Sequence, residues 1–280
     1  MTFLEQLALG WQCFARTLRE SGRSALWWPW ARLLVLYVSV LLAIGFAPEP
    51  RVSWFMAPLV RWAASDDALR YPELLQRLPG LWKWAQLALD ATVAPFAAGV
   101  AALLWSERFR GAPLAAAEAR ALMLRRWFAL LVATLPVSLV AAGGHLALDQ
   151  LAHVRLSGLS RALAPRALEA AVFLVRAACF FVVPMVMLDP RGPRRALLAA
   201  PGRLGLAFVP SLVASLLIAA CAWPLQAALA RPAAWLAVAP EMVLVLAFAF
   251  AVQRALLLGL AAGAGTLLYL SVLVPGEDET

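Results

Sequence analysis

The chain has 280 residues, of which 64% are hydrophobic and 14% charged, with a formal net charge of +8. A water-soluble domain is nearer half apolar and a quarter charged, so the 24 basic and 16 acidic side chains are too few to clothe a chain of this size in water. The positive balance does not indicate nucleic acid: the arginines fall in short clusters between apolar runs, where they face anionic lipid headgroups and set membrane orientation.

At the N-terminus, Phe3, Leu7, Trp11, Phe14 and Leu18 recur at helical spacing, and Glu5, Gln12, Arg16, Arg19 and Glu20 fall largely elsewhere. The pattern predicts an amphipathic cytoplasmic helix within residues 1–24. It either lies along the inner leaflet or packs on the protein's own cytoplasmic side.

A membrane-crossing helix needs about 20 mostly apolar residues. Six regions supply them: 27–47, 84–105, 127–148, 167–188, 205–229 and a stretch within 237–274. About 25 residues precede the first, far more than a signal peptide's charged n-region, so it reads as a retained anchor. The expected fold class is therefore all-α, a polytopic membrane bundle of six helices in one integral membrane domain, 1–280.

Arginines mark the inner side. Arg16, Arg19 and Arg23 precede the first span; Arg108, Arg110, Arg120, Arg125 and Arg126 fill 106–126; Arg191, Arg194, Arg195 and Arg203 fill 189–204. The opposite loops 149–166 and 230–236 hold three and one, and the long 48–83 stretch holds five bases with four acids. The positive-inside rule puts both termini in the cytoplasm and makes 48–83 a periplasmic loop. Within it, "SDDALRYPELLQRLP" reads as a short capped helix. Trp27, Trp28, Trp30, Trp82, Trp84, Trp105 and Trp127 cluster at span ends, as an interfacial aromatic belt does.

The sixth region is too long for one span. Glu241 to Leu273 as a single helix extends roughly 50 Å, against about 30 Å of hydrocarbon. An interfacial Arg254 at the outer headgroups makes 255–274 one span, with 236–252 as a surface or re-entrant helix. Two basic stretches, 113–126 and 191–204, read as short inner helices leading into spans three and five. With the N-terminal helix they suggest three units of an inner helix plus a hairpin.

Charged residues inside spans carry the candidate chemistry. Asp90 and Arg176 each lie roughly 10 Å into the membrane from the outer side, a depth at which pairing is the usual remedy. An ion pair between spans two and four is expected, serving as a helix clamp or as a substrate or proton site. In "HLALDQLAH", His145, Asp149 and His153 share one helix face at i, i+4 and i+8. They cap the span at the headgroups or form a polar site. One ion cannot touch both histidines about 12 Å apart, so no metal and no cofactor is expected. Cys13, Cys179 and Cys221 form no CxxC and read as packed thiols. Gly259-x-x-x-Gly263 reads as a small-residue packing face with a partner inside the chain. Pro95, Pro136, Pro184, Pro210 and Pro224 fall within spans as kinks.

The run "FVVPMVMLDPRGPRRAL" (Phe181–Leu197) places a proline near the inner end of span four, an acid at the membrane edge and a basic "AL" helix entering span five. With Pro184, Asp189, Ala196-Leu197, Leu204 and the closing "TLLYL" (Thr266–Leu270), it resembles a bacterial six-span family related to the membrane domain of glycerophosphodiester phosphodiesterases. The chain departs from that family where Ala200 replaces a serine, where Pro201-Gly202 is expected to interrupt the helix, and in a shorter charged tail. No segment is left to hold a soluble phosphodiesterase domain. The resemblance implies a bacterial inner-membrane protein without its own catalysis, a scaffold or accessory subunit in lipid or envelope processes. Its expected partners are membrane lipids and other membrane proteins. Two alternatives stay open: a transporter of a small or lipidic solute using Asp90 and Arg176, and an intramembrane enzyme using His145 and Asp149.

Overall fold

The computed structural model describes residues 1–64, 66–70, 73–111, 116–153, 159–229, 234–235 and 239–273. Among them there is no strand, and the chain is an all-α polytopic helix bundle. Its helices are α1 (Phe3–Glu20), α2 (Trp28–Gly45), α3 (Pro50–Ala64), α4 (Glu73–Thr92), α5 (Ala94–Arg110), α6 (Ala116–His153), α7 (Leu159–Ala178), α8 (Val182–Leu188), α9 (Pro193–Leu229) and α10 (Met242–Leu268). A 3-10 turn, Ser24–Trp27, precedes α2, and a π turn, Tyr269–Leu273, closes α10.

Among the described residues, five stretches are long and apolar enough to cross a membrane: Ser24–Gly45, Ala117–Leu148, Leu163–Leu188, Pro193–Ala228 and Met242–Val272. The pair α4 and α5, bent at its junction, supplies a sixth if it counts as one span. Pro95 explains the break, because it has no N–H to continue the ladder and stands in the first turn of α5.

The helices fall into two compact units. One comprises residues 1–27, 90–218 and 259–280, and the other 28–89 and 219–258. In the second, Trp82 is 3% exposed and stands edge-on to Tyr37, 5.9 Å between ring centres. The stretch expected as a loop at 48–83 is largely helical there. α3 buries Met56, Ala57 and Val60 on one face and exposes Trp54, Leu59 and Trp62 on another. α4 starts at Glu73, ahead of the expected span.

In the first unit, α5, α6, α7 and α8 pack together. Ala102, Leu103, Leu130, Val182, Val186 and Met187 form one core cluster. α1 packs against the same unit through a face that shares only Phe14 with the apolar stripe. Its buried residues are Gly10, Cys13, Phe14 and Thr17, whereas Phe3, Leu4, Trp11 and Leu18 stay exposed. Small residues win the buried face because they let backbones approach. A Cβ on Gly10 would lie 2.6 Å from the Pro210 carbonyl oxygen, and one on Gly263 would strike Thr17 and the Trp105 ring. Gly263 therefore packs within the chain. A capping box between Thr2 and Glu5 starts α1 and satisfies its first N–H groups.

Other expectations change. The basic stretches before spans three and five are not separate helices: α6 and α9 run unbroken for 38 and 37 residues. At about 1.5 Å per residue such helices outrun the hydrocarbon and carry their basic first turns beyond it. α9 also passes through Pro201-Gly202 without interruption. Gln253-Arg254 does not divide the last helix either, and α10 is continuous from Met242 to Leu268, so 242–252 is not a separate surface or re-entrant helix. Of the expected tryptophan belt, Trp28, Trp84 and Trp127 are exposed, but Trp30, Trp82 and Trp105 are at most 3% exposed and belong to the interior. The three cysteines are free, with Cys13 buried and Cys221 exposed.

Candidate functional site

The run Phe181–Leu197 folds into the polar centre of the first unit. α8 ends where Asp189 turns extended (φ −67°, ψ 120°), and Gly192 takes a positive φ of 94° that only glycine adopts without strain. Pro193 then opens α9. The Asp189 carboxylate accepts from the Arg191 backbone N–H at 2.9 Å, pinning the turn locally.

Asp189 is 3% exposed, and a buried carboxylate requires a cationic partner. Arg203, three turns into α9, brings Nη1 to 3.8 Å from the second carboxylate oxygen, close enough for charge attraction though too long for a hydrogen bond. Tyr269, in the π turn that ends α10, packs in the same cluster, with Phe181, Met185 and Ala196. Tyr269 is 1% exposed.

From α6, Arg126 Nη1 donates to the carbonyls of Val186 (2.8 Å), Met187 (3.0 Å) and Asp189 (3.4 Å). These lie at the C-terminal end of α8, where a cation complements both the free carbonyls and the helix dipole. Four elements thus meet on one turn: α6 through Arg126, the α8–α9 turn through Asp189, α9 through Arg203 and the end of α10 through Tyr269. The arrangement neutralises a buried acid and holds the helices in register.

Pro184 contributes indirectly. It cannot donate to the Phe180 carbonyl four residues earlier, and Gly265 comes so close to that oxygen that a Cβ there would lie 2.8 Å away. Proline, freed carbonyl and glycine make one close crossing between α10 and the turn before α8.

A second polar cluster joins α1 to α5. Arg108 grips Glu20 with Nε at 2.8 Å and with a terminal nitrogen as well. Arg16 lies over the Phe109 ring, 5.4 Å from its centre, and Trp105 stacks on the same ring. Burial pushes the Cys13 thiol up to about 11, against smaller opposing influences from a Ser271 hydrogen bond and Arg16.

The residues singled out from the sequence lie elsewhere. Asp90 stands in the last turn of α4 beside the break at Val93, and Arg176 in the last turn of α7, both half-buried and both engaged in contacts. His145 is half-buried on α6, whose unbroken helix supports the shared register with Asp149 and His153. The side chains of Asp149 and His153 lie outside the described residues. Arg254 is half-buried in the middle of α10. Among the described residues no cluster of His, Cys, Asp and Glu is arranged to hold a metal.

Sequence reasoning missed Arg126 and Arg203 as partners of Asp189. The available signal was Arg203 alone inside "LLAAPGRLGLAF", a cation in an apolar run facing an acid at a membrane edge.

Fold and site together define a multi-pass α-helical membrane protein, one unit of which holds a knot of the buried Asp189 with Arg203 beside Tyr269. None of the family models, curated proteins or solved structures compared with the chain matches it.

Proposed function

We propose that this is a non-catalytic protein of a bacterial inner membrane, a scaffold or accessory subunit in lipid or envelope processes, with both termini in the cytoplasm. The observation that carries the reading is the Asp189 knot. Its acid is sealed from solvent and bound to Arg203, and Arg126 is spent on the carbonyls of the same turn. Such a centre joins helices rather than presenting a free reactive group. Similarity of Pro184, Asp189 and Thr266–Leu270 to the six-span family supports the same reading, and the arginine-rich α1, α5–α6 and α8–α9 segments support the orientation.

Cross-linking in intact membranes followed by detergent purification tests it. A defined membrane protein is expected at constant ratio to this chain. Recovery of the chain alone from cross-linked membranes, or labelling of its two ends from opposite sides, overturns the reading.

A transporter is the second reading, favoured by the position of Asp90. A half-buried carboxylate beside a broken span is the arrangement in which transporters place coupling groups. Asp90→Asn separates the two. In folded protein reconstituted in vesicles, the transport reading expects solute or proton flux to fall by at least tenfold. The scaffold reading expects no flux from wild type and an unchanged set of cross-linked partners.

A further inference from the structure

α1 and the end of α10 enclose a cleft of about 480 Å³, within the size range of small-molecule sites, roughly 300–1,000 Å³. Its lining divides by polarity. Leu9, Trp11 and Leu267 make one part apolar, and Gln12, Arg16 and Arg19 make the other basic. Gln12, Arg16 and Arg19 are spaced i, i+4 and i+7, so they share a face of α1.

The charge in the cleft is uncompensated. Its acid, Glu20, is already held by Arg108, and among the described residues neither Arg16 nor Arg19 forms an ion pair. Arg16 is oriented by the Phe109 ring beneath it. Leu267 and Ser271 belong to the last turns of a candidate span, so the cleft opens where hydrocarbon gives way to headgroups. The exposed Phe3, Leu4 and Leu18 on the same helix give α1 an apolar surface of its own.

We infer that this cleft binds the phosphate of an anionic phospholipid, with Arg16 and Arg19 on the phosphate oxygens, Gln12 on the glycerol region and the acyl chains along Trp11 and Leu267. An apolar end continuous with a charged end suits an amphiphile better than a free anion. Arginine suits phosphate because its planar fork donates two parallel hydrogen bonds. The inference relies on membrane placement and not on the scaffold role.

The full chain, purified in detergent and titrated with phosphatidylglycerol or phosphatidylcholine under native mass spectrometry, tests it. Wild type is expected to hold one phosphatidylglycerol in preference to phosphatidylcholine. Each arginine near an anionic headgroup contributes a factor of about five, so Arg16→Gln/Arg19→Gln is expected to bind about twenty-fivefold more weakly. Arg194→Gln/Arg195→Gln removes the same charge from two exposed side chains outside the cleft and is expected to bind like wild type. Equal loss in both double variants means diffuse attraction and overturns the site, as does no loss in either.

Displacement of the lipid by millimolar inorganic phosphate or glycerol phosphate would assign the cleft to a soluble phosphate ester and overturn the lipid. Should the double variant fail to fold, Arg19→Gln alone, at an exposed position without a ring contact, is expected to lose about fivefold. Loss of cross-linked partners with lipid binding intact removes only the scaffold reading. The converse removes only the lipid site.

Discussion

Asp189→Ala is expected to lower stability by about 3–5 kcal/mol, because it leaves the half-buried charge of Arg203 without its partner and removes the bond to the Arg191 N–H. Against a total of roughly 5–15 kcal/mol, that loss is a large share of the stability. Thermal unfolding in detergent, with folded yield by gel filtration, reads it. Asp189→Ala combined with Arg203→Leu is expected to recover a good part of the loss, since the stranded cation is then gone too. Asp189→Asn keeps an acceptor for the turn while removing the charge, so it should fall between wild type and alanine. An unfolding midpoint for Asp189→Ala equal to wild type would refute the structural role of the knot.

Gly10→Leu is expected to detach α1. Even the Cβ would sit 2.6 Å from the Pro210 carbonyl oxygen and 2.8 Å from Val213 Cβ. The first of these is backbone inside a helix and cannot swing away. Overpacking of this kind costs about 1–3 kcal/mol, which a peripheral helix can escape by opening.

Cys13 reports the opening. Its thiol is 2% exposed, and burial holds it nearly all protonated at neutral pH, so maleimide should modify it slowly in wild type. In Gly10→Leu the rate should rise about ten- to a hundredfold, following the opened population. Peptide mass spectrometry separates this site from Cys179 and Cys221. Gly22→Leu is the control, because nothing lies within 4 Å of a Cβ there. Unchanged Cys13 labelling in Gly10→Leu would mean that α1 is not held through this contact. The experiment bears on the lipid cleft as well, since α1 forms one wall of it.

The two variants probe different links in one chain of causes. The Asp189 knot is electrostatic and sits at a turn, and the Gly10 crossing is steric and sits in mid-helix. α9 takes part in both, through Arg203 and through Pro210 and Val213. Loss of the knot should therefore also loosen α1 and raise Cys13 labelling, whereas Gly10→Leu should leave the knot intact.

How much was legible depended on the range of the physics involved. The long apolar runs were readable because solvation by hydrocarbon acts on each segment separately. The stop at Asp189-Pro190 and the basic turn after it were readable for the same local reason. The α1 stripe was legible as helical and amphipathic, but which face of the helix packs on the protein was not. Hydrophobicity marks what avoids water, but in a membrane the exposed side can also be apolar, and closeness of approach decides what packs. Trp30, Trp82 and Trp105 failed as belt residues because tryptophan serves an interior as well as an interface. Pro201-Gly202 failed as a break because a helix held by its neighbours tolerates a missing hydrogen bond.

By itself the sequence determined the solvent, the helical class, the approximate spans and the amphipathic character of the N-terminus, since each follows from composition and period within some twenty residues. Only the tertiary structure decided that Asp189 answers to Arg203, that Arg126 caps α8, and that Arg108 neutralises Glu20 in the cleft where Arg16 and Arg19 remain. Those pairings join positions as many as 88 residues apart. Charges in a medium of low polarity choose their partners by distance in space, and no local pattern in the chain records that distance.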